Sequence, residues 1–232
     1  MKTALISGGA ARIGAQIVRT LHENGYKVII HCHQSEEIAQ TLGRELNSKR
    51  NNSAQVLVAD LRDNEAIKKL TQTIKSLDLL VNNASVFYPT STENSTIEDW
   101  NKIININLKA PFFITTGLSK VLETSQGSIV NIIDIHSDRP LKNHSIYNIS
   151  KAGLKMLTKT LAKELAPNIR VNGVSPGSIL WPQGLAELSQ EEKLNMLDRI
   201  ALNKHGSTED IAEAVLFLAN AKYITGEVIN ID

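Results

Sequence analysis

The stretch Ser7-Gly8-Gly9-Ala10-Ala11-Arg12-Ile13-Gly14 decides the fold, because an apolar run precedes it and a helical pattern follows it. Residues 3–7 read Thr-Ala-Leu-Ile-Ser, and apolar side chains then recur at helical spacing (Ile13, Ile17, Val18, Leu21). A strand, a tight glycine turn and a helix bring backbone N–H groups and the positive helix end toward a pyrophosphate. Tight turns also use glycine for steric reasons alone. The position of this turn, at the start of an alternating series, favours a dinucleotide site.

Strands and helices alternate along the rest of the chain. Short apolar runs rich in β-branched residues recur at residues 27–31, 55–59, 78–82, 128–133, 169–174 and 227–231. Their nearly continuous hydrophobicity is typical of strands that are buried on both faces of a parallel sheet. Helical periodicities separate them, for example over residues 38–46 and 147–165. We therefore predict an α/β fold: a Rossmann-type doubly wound parallel sheet of seven strands, with helices on both faces, in one domain over residues 1–232.

One segment interrupts the alternation. Between Pro176 and about Ala201 no strand is predicted, and Gly177, Pro182 and Gly184 precede a short helix. An insertion over about 177–203, after the carboxyl end of a strand, lies where such sheets bind ligands. It is predicted to cover the substrate, with Trp181 over the pocket. A plain surface loop is the equal alternative.

Composition excludes several classes of partner. Lys and Arg number 25 against 24 Asp and Glu, so no net field attracts nucleic acid or an anionic membrane. Cys32 is the only cysteine, which excludes an internal disulfide and a CxxC metal cluster. Met1 to Ser7 lacks the pattern of a cleavable leader, and no apolar run approaches the roughly 18 residues of a membrane helix. We expect a cytoplasmic protein that uses no metal.

The end of the second predicted strand indicates which dinucleotide binds. An NAD site places a carboxylate there, about 20 residues past the turn, to accept from the ribose 2′-hydroxyl. Here residues 31–35 read His-Cys-His-Gln-Ser, with no acid before Glu36. A 2′-phosphate could accept from His33 and Ser35, and Arg12 could reach it. Arg12 could instead be merely solvated, but a cation is disfavoured at a helix N-terminus without an anion nearby. NADP(H) is the predicted cofactor.

Further cofactor contacts are predicted where the next two strands end. Asp60 could accept from the adenine edge, although it could instead cap the following helix, a role that Asp63 could fill equally. Asn82-Asn83-Ala84 is small and polar where the cofactor must pass.

A tyrosine and a lysine form the predicted reaction centre. Hydride transfer to a carbonyl or an imine requires a proton, and a tyrosine with its usual pKa near 10 is a slow donor. Lys151, four residues after Tyr147 on the same helix face, lies close enough to stabilise the phenolate and lower that pKa. An ordinary surface pair is the alternative for this spacing alone.

Together these motifs resemble the short-chain dehydrogenase/reductase family over essentially the whole chain. The matching residues are the turn from Gly8 to Gly14, Asp60-Leu61, Asn82-Asn83-Ala84, Asn107 within Asn105-Ile-Asn-Leu, Tyr147, Lys151 and Pro176-Gly177. The resemblance implies that Asn107 holds a proton-relay water, Lys151 also binds the nicotinamide ribose, and Pro176, Gly177 and Ser178 flank the nicotinamide. For Asn107, a helix-kink hydrogen bond is the compatible alternative. The resemblance also implies homotetramers formed through the long helices and the C-terminal strand, and further residues beyond Asp232.

Two departures from the family pattern resemble its pteridine reductase (dihydromonapterin reductase) branch. Arg12 replaces the usual middle glycine, and Asp134, thirteen residues before Tyr147, replaces the usual serine. That branch also carries an aromatic residue after Asn-Ala-Ser, here Phe87. The resemblance implies a pterin ring stacked between the nicotinamide and Phe87, with Arg12 and Ser85 on cofactor phosphate or pterin.

The chemistry of a carboxyl group supports a pterin substrate. A serine hydroxyl suits a developing alkoxide, whereas pterin reduction places hydride on a C=N bond and needs a proton on the ring nitrogen. A carboxyl group in a closed apolar pocket holds its proton more tightly and can relay it near neutrality. Asp134 could instead cap a turn or pair with Arg139 or Lys142, and Phe87 could be core. His136 and His144 are predicted to be ordinary loop residues.

These observations favour NADPH-dependent reduction of dihydropterins, with dihydrofolate or biopterin-like compounds as further substrates. A 3-oxoacyl or small-ketone reductase of the same family is the first alternative. A non-catalytic NADP-sensing protein is the second, although the predicted proton donor argues against it.

Overall fold

A single parallel sheet of seven strands organises the computed structural model, which describes residues 1–181, 189–198 and 200–232. The strands are β1 (Thr3–Ile6), β2 (Lys27–Cys32), β3 (Ala54–Val58), β4 (Leu79–Asn82), β5 (Ser128–Ile132), β6 (Arg170–Pro176) and β7 (Val228–Ile231). Their order is β3-β2-β1-β4-β5-β6-β7, and every neighbouring pair is parallel. The predicted doubly wound fold is confirmed.

Helices follow the strands as the periodicity predicts. They are α1 (Arg12–Glu23), α2 (Glu36–Lys49), α3 (Asn64–Thr73), α4 (Ile97–Ile104), α5 (Ala110–Ser125), α6 (Ser145–Glu164), α7 (Gln190–Leu197) and α8 (Thr208–Asn220). A π-helical turn over Asn105–Lys109 joins α4 to α5, and a 3-10 turn over Ile135–Ser137 follows β5. None of the described helices is long and apolar enough to cross a membrane.

The sheet separates two apolar cores, which is why its strands lack polar alternation. In β1, Ala4 and Ile6 belong to one core and Leu5 belongs to the other. The first core lies under α1, α2 and α8, and the second lies under α3, α5 and α6. Burial on both faces therefore selects the continuous apolar runs in the sequence.

The strand order reverses between β1 and β4, and this reversal positions the site. From β1 the chain proceeds outward through β2 to β3, and it returns to pair β4 on the other side of β1. In open α/β sheets, ligands bind in the crevice at the carboxyl ends of the strands beside such a reversal. Gly8 lies two residues after the end of β1, and Asn83 follows β4 directly, so both lie at this crevice.

The segment after β6 is described in part. Gly177 to Trp181 continue from β6, and α7 supplies the predicted short helix. Pro182 and Gly184 lie outside the described residues. The substrate-covering role of the insertion over about 177–203 stays a prediction.

Candidate active site

The glycine turn after β1 forms a cradle that side chains would fill. Gly8 has a φ of +62°, a conformation that favours glycine. A Cβ on Gly14 would lie 2.1 Å from the carbonyl oxygen of Gly8 and 2.7 Å from Nδ2 of Asn83. No side chain fits there, so the backbone N–H groups at the start of α1 stay open to an anion such as a pyrophosphate.

Asn83 fastens this turn to the end of β4. Its Nδ2 donates to the carbonyl oxygens of Ser7 and Gly8, at 2.9 and 3.0 Å. The Ser7 hydroxyl in turn accepts from the backbone N–H groups of Asn83 and Ala84, at 3.0 Å each. The two sides of the crevice are therefore held in one arrangement, and Ser85, with an exposed side chain, follows directly.

His31 holds the glycine turn in place through hydrogen bonds, a role that the sequence pattern does not predict. Its Nδ1 accepts from the N–H of Gly8 at 3.2 Å, and its Nε2 lies 3.1 Å from the carbonyl oxygen of Ala59. A carbonyl oxygen only accepts, so Nε2 carries the proton. Burial lowers the pKa of His31 to about 4, so the ring is neutral at neutral pH. The sequence feature that could have indicated this role is a histidine inside an otherwise apolar strand.

Arg12 extends from the turn to the segment after β6. Its guanidinium donates to the carbonyl oxygen of Trp181 at 3.5 Å, and the side chain is exposed. Its φ of +54° is the left-handed conformation that glycine prefers. The Trp181 ring lies 3.9 Å from that of His205, between centroids, and Ser178 Oγ is 3.1 Å from His205 Nε2. A cation is therefore placed at the rim of the cradle.

Polar groups gather at the carboxyl ends of β2 and β3. Arg62 binds the Asp60 carboxylate through both oxygens, and these hydrogen bonds lower the pKa of Asp60 to about 2. Nε2 of His33 lies 3.8 Å from Asp60 Oδ2, and Ser35 stands at the start of α2. Asp63, not Asp60, caps α3 by accepting from the N–H of Glu65. Asp60 is therefore held by Arg62 at the predicted adenine end.

Two predicted cofactor residues have their side chains in the core. Leu61 is buried and Ile13 packs against the core under α1. Each can contact a cofactor through its backbone alone.

Tyr147 and Asp134 form the centre of the site. The Tyr147 hydroxyl donates to Oδ2 of Asp134 at 2.6 Å, a short bond of the kind that a carboxylate accepts. Oδ1 of Asp134 accepts from the N–H of His136 at 2.8 Å and caps the 3-10 turn. The capping alternative is therefore correct and coexists with the contact to tyrosine. Arg139 pairs with Asp232, at 2.8 Å, instead of Asp134.

Lys151 lies on the same helix face as Tyr147, but the prediction that it lowers the pKa of the tyrosine is wrong. Burial, and next the Asp134 carboxylate, raise the pKa of Tyr147 well above its usual value. Nζ of Lys151 donates to the carbonyl oxygen of Ile132 at 3.0 Å and lies 5.6 Å from the centroid of the Tyr147 ring. Burial lowers the pKa of Lys151 to about 8. Tyr147 is therefore a neutral O–H donor near neutrality.

Asn107 lies in the π-helical turn and is buried. Its Oδ1 accepts from the N–H of Val86 at 2.9 Å, and its Nδ2 donates to the Val86 carbonyl and to Ser150 Oγ, both at 3.1 Å. It therefore anchors the segment between Ser85 and Phe87 to α6. Its predicted role in holding a water stays a prediction.

Phe87 lies beside the tyrosine rather than in the core. Its ring centroid is 4.8 Å from that of Tyr147 at an angle of 80°, and it is 36% exposed. The core alternative for Phe87 is therefore wrong. His144, predicted to be an ordinary loop residue, is instead buried and stacks on Phe87. The sequence feature that could have indicated this placement is the position of His144 three residues before Tyr147, at the start of α6. His136 lies in the 3-10 turn instead of a loop, with Nδ1 2.8 Å from the Arg139 carbonyl.

The end of β6 closes the remaining side. The N–H of Gly177 donates to the carbonyl oxygen of Ile231 at 2.8 Å, and a Cβ on Gly177 would lie 2.7 Å from Asp232 Oδ1. Pro176 ends β6, and Gly177 and Ser178 follow it, at the same edge of the sheet as Gly8, Asn83 and Asp134. The site combines an anion cradle with a buried proton donor, as a hydride-transfer enzyme requires.

Known proteins resemble this chain over almost its whole length. A family model described as Enoyl-(Acyl carrier protein) reductase matches residues 8–232. The chain is 32% identical to "Pteridine reductase 1" of Leishmania tarentolae, covering 99% of this chain and 94% of that protein. It is 36% identical to "3-oxoacyl-[acyl-carrier-protein] reductase FabG" of Rickettsia conorii, covering 100% and 95%.

A solved structure agrees with the fold in detail. A blue fluorescent protein from a metagenomic library, in complex with NADPH, superposes with a TM-score of 0.91 at 29% identity, covering 100% of this chain and 96% of that one. The full-length matches and the shared sheet, with a tyrosine and a lysine on the helix after its fifth strand, lead to one conclusion: this chain belongs to the short-chain dehydrogenase/reductase family of oxidoreductases.

Proposed function

We propose that the chain is an NADPH-dependent reductase that converts dihydropterins to tetrahydropterins. The observation that carries this proposal is the 2.6 Å hydrogen bond from Tyr147 to Asp134, beside the exposed ring of Phe87. A carboxyl group paired with the tyrosine suits proton delivery to a ring nitrogen, and an exposed aromatic ring suits a flat heterocycle.

The residues at the crevice fit NADP(H). A side chain at Gly14 would clash with the Gly8 carbonyl, so the turn at this point offers only its backbone groups to the cofactor. Backbone groups from Gly8 to Gly14 would hold the pyrophosphate, while Arg12, His33 and Ser35 would hold the 2′-phosphate. The other residues predicted to contact the cofactor lie near the ends of β3, β4 and β6 or on α6: Asp60, Leu61, Asn83, Ala84, Ser85, Tyr147, Lys151, Pro176, Gly177 and Ser178. NADPH supplies a hydride when bound.

The chain's own residues supply the proton. Reduction of a C=N bond adds hydride to carbon and a proton to nitrogen, so one dihydropterin, one NADPH and one proton give a tetrahydropterin and NADP⁺. Asp134 is half-buried and reaches the substrate side, while Tyr147 donates to it from within the fold. A proton can pass from Tyr147 to Asp134 and from there to the ring nitrogen. Lys151, with Nζ 5.6 Å from the centroid of the Tyr147 ring, would hold the nicotinamide ribose.

A 3-oxoacyl or small-ketone reductase is the second candidate. The observation that favours it is the higher identity to the Rickettsia conorii protein, 36% against 32% for the pteridine reductase. NADPH oxidation measured with dihydrobiopterin or dihydromonapterin, and separately with an acetoacetyl thioester, separates the two. Turnover of the thioester alone would overturn the pterin proposal.

Replacing Asp134 by serine tests its role directly. We expect Asp134→Ser to lower kcat/KM for the dihydropterin by about 100-fold, the usual contribution of a positioned general acid. The matched control is Asp138→Ser, because Asp138 is an exposed neighbour that pairs with Lys155. Steady-state NADPH oxidation is the measurement. An equal loss in both variants would contradict a specific role for Asp134.

Replacing Tyr147 by phenylalanine distinguishes an enzyme from a non-catalytic sensor. Tyr147→Phe removes the hydroxyl that donates to Asp134 and leaves the ring, so turnover should disappear while the NADPH dissociation constant stays within about twofold. Fluorescence titration and single-turnover kinetics measure the two quantities. Persistent turnover would show that another group donates the proton, and a wild-type protein that binds NADPH without turnover would be a sensor.

A further inference from the structure

His144 lies against Phe87 in a part of the site that the proposed proton transfer does not use. The two ring centroids are 4.7 Å apart and the planes differ by 15°, so the rings are stacked. His144 is 8% exposed whereas Phe87 is 36% exposed. The buried imidazole therefore covers one face of the Phe87 ring, and Phe87 keeps part of its surface exposed.

The backbone that carries Phe87 is held on both sides. Asn107 binds both backbone groups of Val86, and the N–H of Thr90 donates to the Asn143 carbonyl at 2.6 Å. The next side chain, Tyr88, donates to Oδ1 of Asp99 at 3.0 Å. With these anchors in place, the tilt of the Phe87 ring depends on what packs against its face.

Hydrogen bonding fixes the plane of the His144 ring. Nδ1 lies 2.8 Å from the carbonyl oxygen of Lys142, which can only accept, so Nδ1 carries the proton. Neither Nε2 nor the hydroxyl of Thr90, which pairs with His144 in a β-bridge, has a hydrogen-bond partner among the described residues. A buried unpaired polar atom is unfavourable. Packing alone would favour a phenyl ring, whereas only histidine adds the N–H that anchors the plane.

We propose that His144 is a positioning residue that sets the plane of Phe87, on whose other face the substrate ring stacks. This inference rests on the proposed function, because only a flat heteroaromatic substrate depends on that plane. A small acyl thioester presents no ring and is indifferent to it. His144 thus contributes to the selection of pterins over ketones without contacting the reacting atoms.

Two substitutions separate the ring from its hydrogen bond. In His144→Asn the amide N–H can replace Nδ1, and asparagine is a favoured N-cap at the start of α6, but the stacked ring is lost. In His144→Phe the ring stays and the hydrogen bond is lost. We expect His144→Asn to raise KM for dihydrobiopterin about 3- to 10-fold, the range expected for one aromatic pair. His144→Phe should recover most of this loss.

Further measurements test whether the change in KM is specific to the pterin and depends on Phe87. The NADPH dissociation constant and KM for an acetoacetyl thioester should stay within about twofold in His144→Asn. In a Phe87→Ala background, His144→Asn should change KM for the pterin no further, because the ring that it positions is absent. Both comparisons use the full chain and the same assay of NADPH oxidation.

The possible results distinguish a failure of the proposed function from a failure of the role of His144. A wild-type protein that does not reduce dihydropterins overturns the proposed function and this inference with it. If the wild type reduces them, an unchanged pterin KM in His144→Asn overturns the role of His144 alone. An equal rise in KM for pterin and thioester, or an equal effect with and without Phe87, also overturns it.

Discussion

At Arg12 the backbone conformation favours glycine, whereas the position at the ligand crevice favours a cationic side chain. Its φ of +54° is unfavourable for any side chain with a Cβ, by about 1–2 kcal/mol relative to the right-handed region. Its exposed guanidinium stands at the rim of the anion cradle, in contact with the Trp181 carbonyl. A strained residue at a ligand site is retained when its side chain binds. We infer that cofactor affinity offsets the strain at this position.

Arg12→Gly should therefore improve stability and weaken cofactor binding. Relief of the left-handed conformation should raise the free energy of unfolding by up to about 1 kcal/mol, because the greater freedom of unfolded glycine offsets part of the gain. Loss of a charge-assisted contact should raise the NADPH dissociation constant about tenfold or more. Urea unfolding and fluorescence titration measure the two effects.

The matched control is Asn52→Gly, at an exposed position with the same φ of +54° and far from the crevice in the fold. It should gain stability in the same way and leave NADPH affinity unchanged. Unchanged NADPH affinity in Arg12→Gly would remove Arg12 from the cofactor site.

Between elements, His31 joins the carboxyl ends of three strands. It belongs to β2, accepts from the N–H of Gly8 after β1, and donates to the carbonyl of Ala59 after β3. Protonation would convert the acceptor Nδ1 into a donor that faces an N–H group, and burial already disfavours the charged ring. The phosphate turn is therefore connected to the sheet through a neutral histidine.

This connection predicts how stability depends on pH. Burial lowers the pKa of His31 to about 4 in the folded state, while the unfolded residue titrates near 6.5. The unfolded state then binds the extra proton between these values, so stability is complete above pH 6.5 and falls as pH falls toward 4. The total is of the order of 3 kcal/mol.

Urea unfolding between pH 4.5 and 7.5 measures this dependence. His31→Gln should flatten it, whereas His136→Gln, in the 3-10 turn, should retain it. Equal slopes in the wild type and in His31→Gln would contradict the assignment of the dependence to His31.

In the whole molecule, one edge of the sheet and the adjoining helix face present apolar surface. Among the described residues, strand β7 pairs with β6 alone, and Phe217 of α8, 55% exposed, lines a groove with Ile229 and Ile231. An edge strand beside an exposed apolar groove is suited to pairing with another chain. We propose that the chain forms the homotetramer that its family resemblance implies.

Light scattering tests this proposal. The wild-type protein should have a mass near four times the 25.5 kDa of the chain. Phe217→Glu places a charge in the groove and should reduce that mass, whereas Gln40→Glu, on the exposed face of α2, should not. A monomeric wild-type protein would contradict the proposal.

Local patterns were sufficient for the fold and for the shared helix face of Tyr147 and Lys151. Each strand was predicted to within one or two residues because burial on both faces requires unbroken apolar runs, as in β1 and β4. Tyr147 and Lys151 were found because helical spacing alone places them on one face. The parallel sheet of seven strands follows from strand and helix alternation, whereas its strand order was not predicted.

Quantities that depend on contacts distant in the chain were not predicted from the pattern. The pKa of Tyr147 was expected to fall through Lys151, but burial and Asp134, thirteen residues away, raise it. The roles of His31 and His144 arise where loops from separate strands meet, and neither residue lies in a recognisable motif.

The sequence by itself therefore determined the fold class, the glycine turn after β1 and the helix face that Tyr147 and Lys151 share, because these depend on spacing within one strand or helix. Only the tertiary structure decided which side chains share a proton, which ring supports Phe87 and how Arg12 is strained. Burial and distance between remote segments set those properties, and neither is encoded in any local stretch of residues.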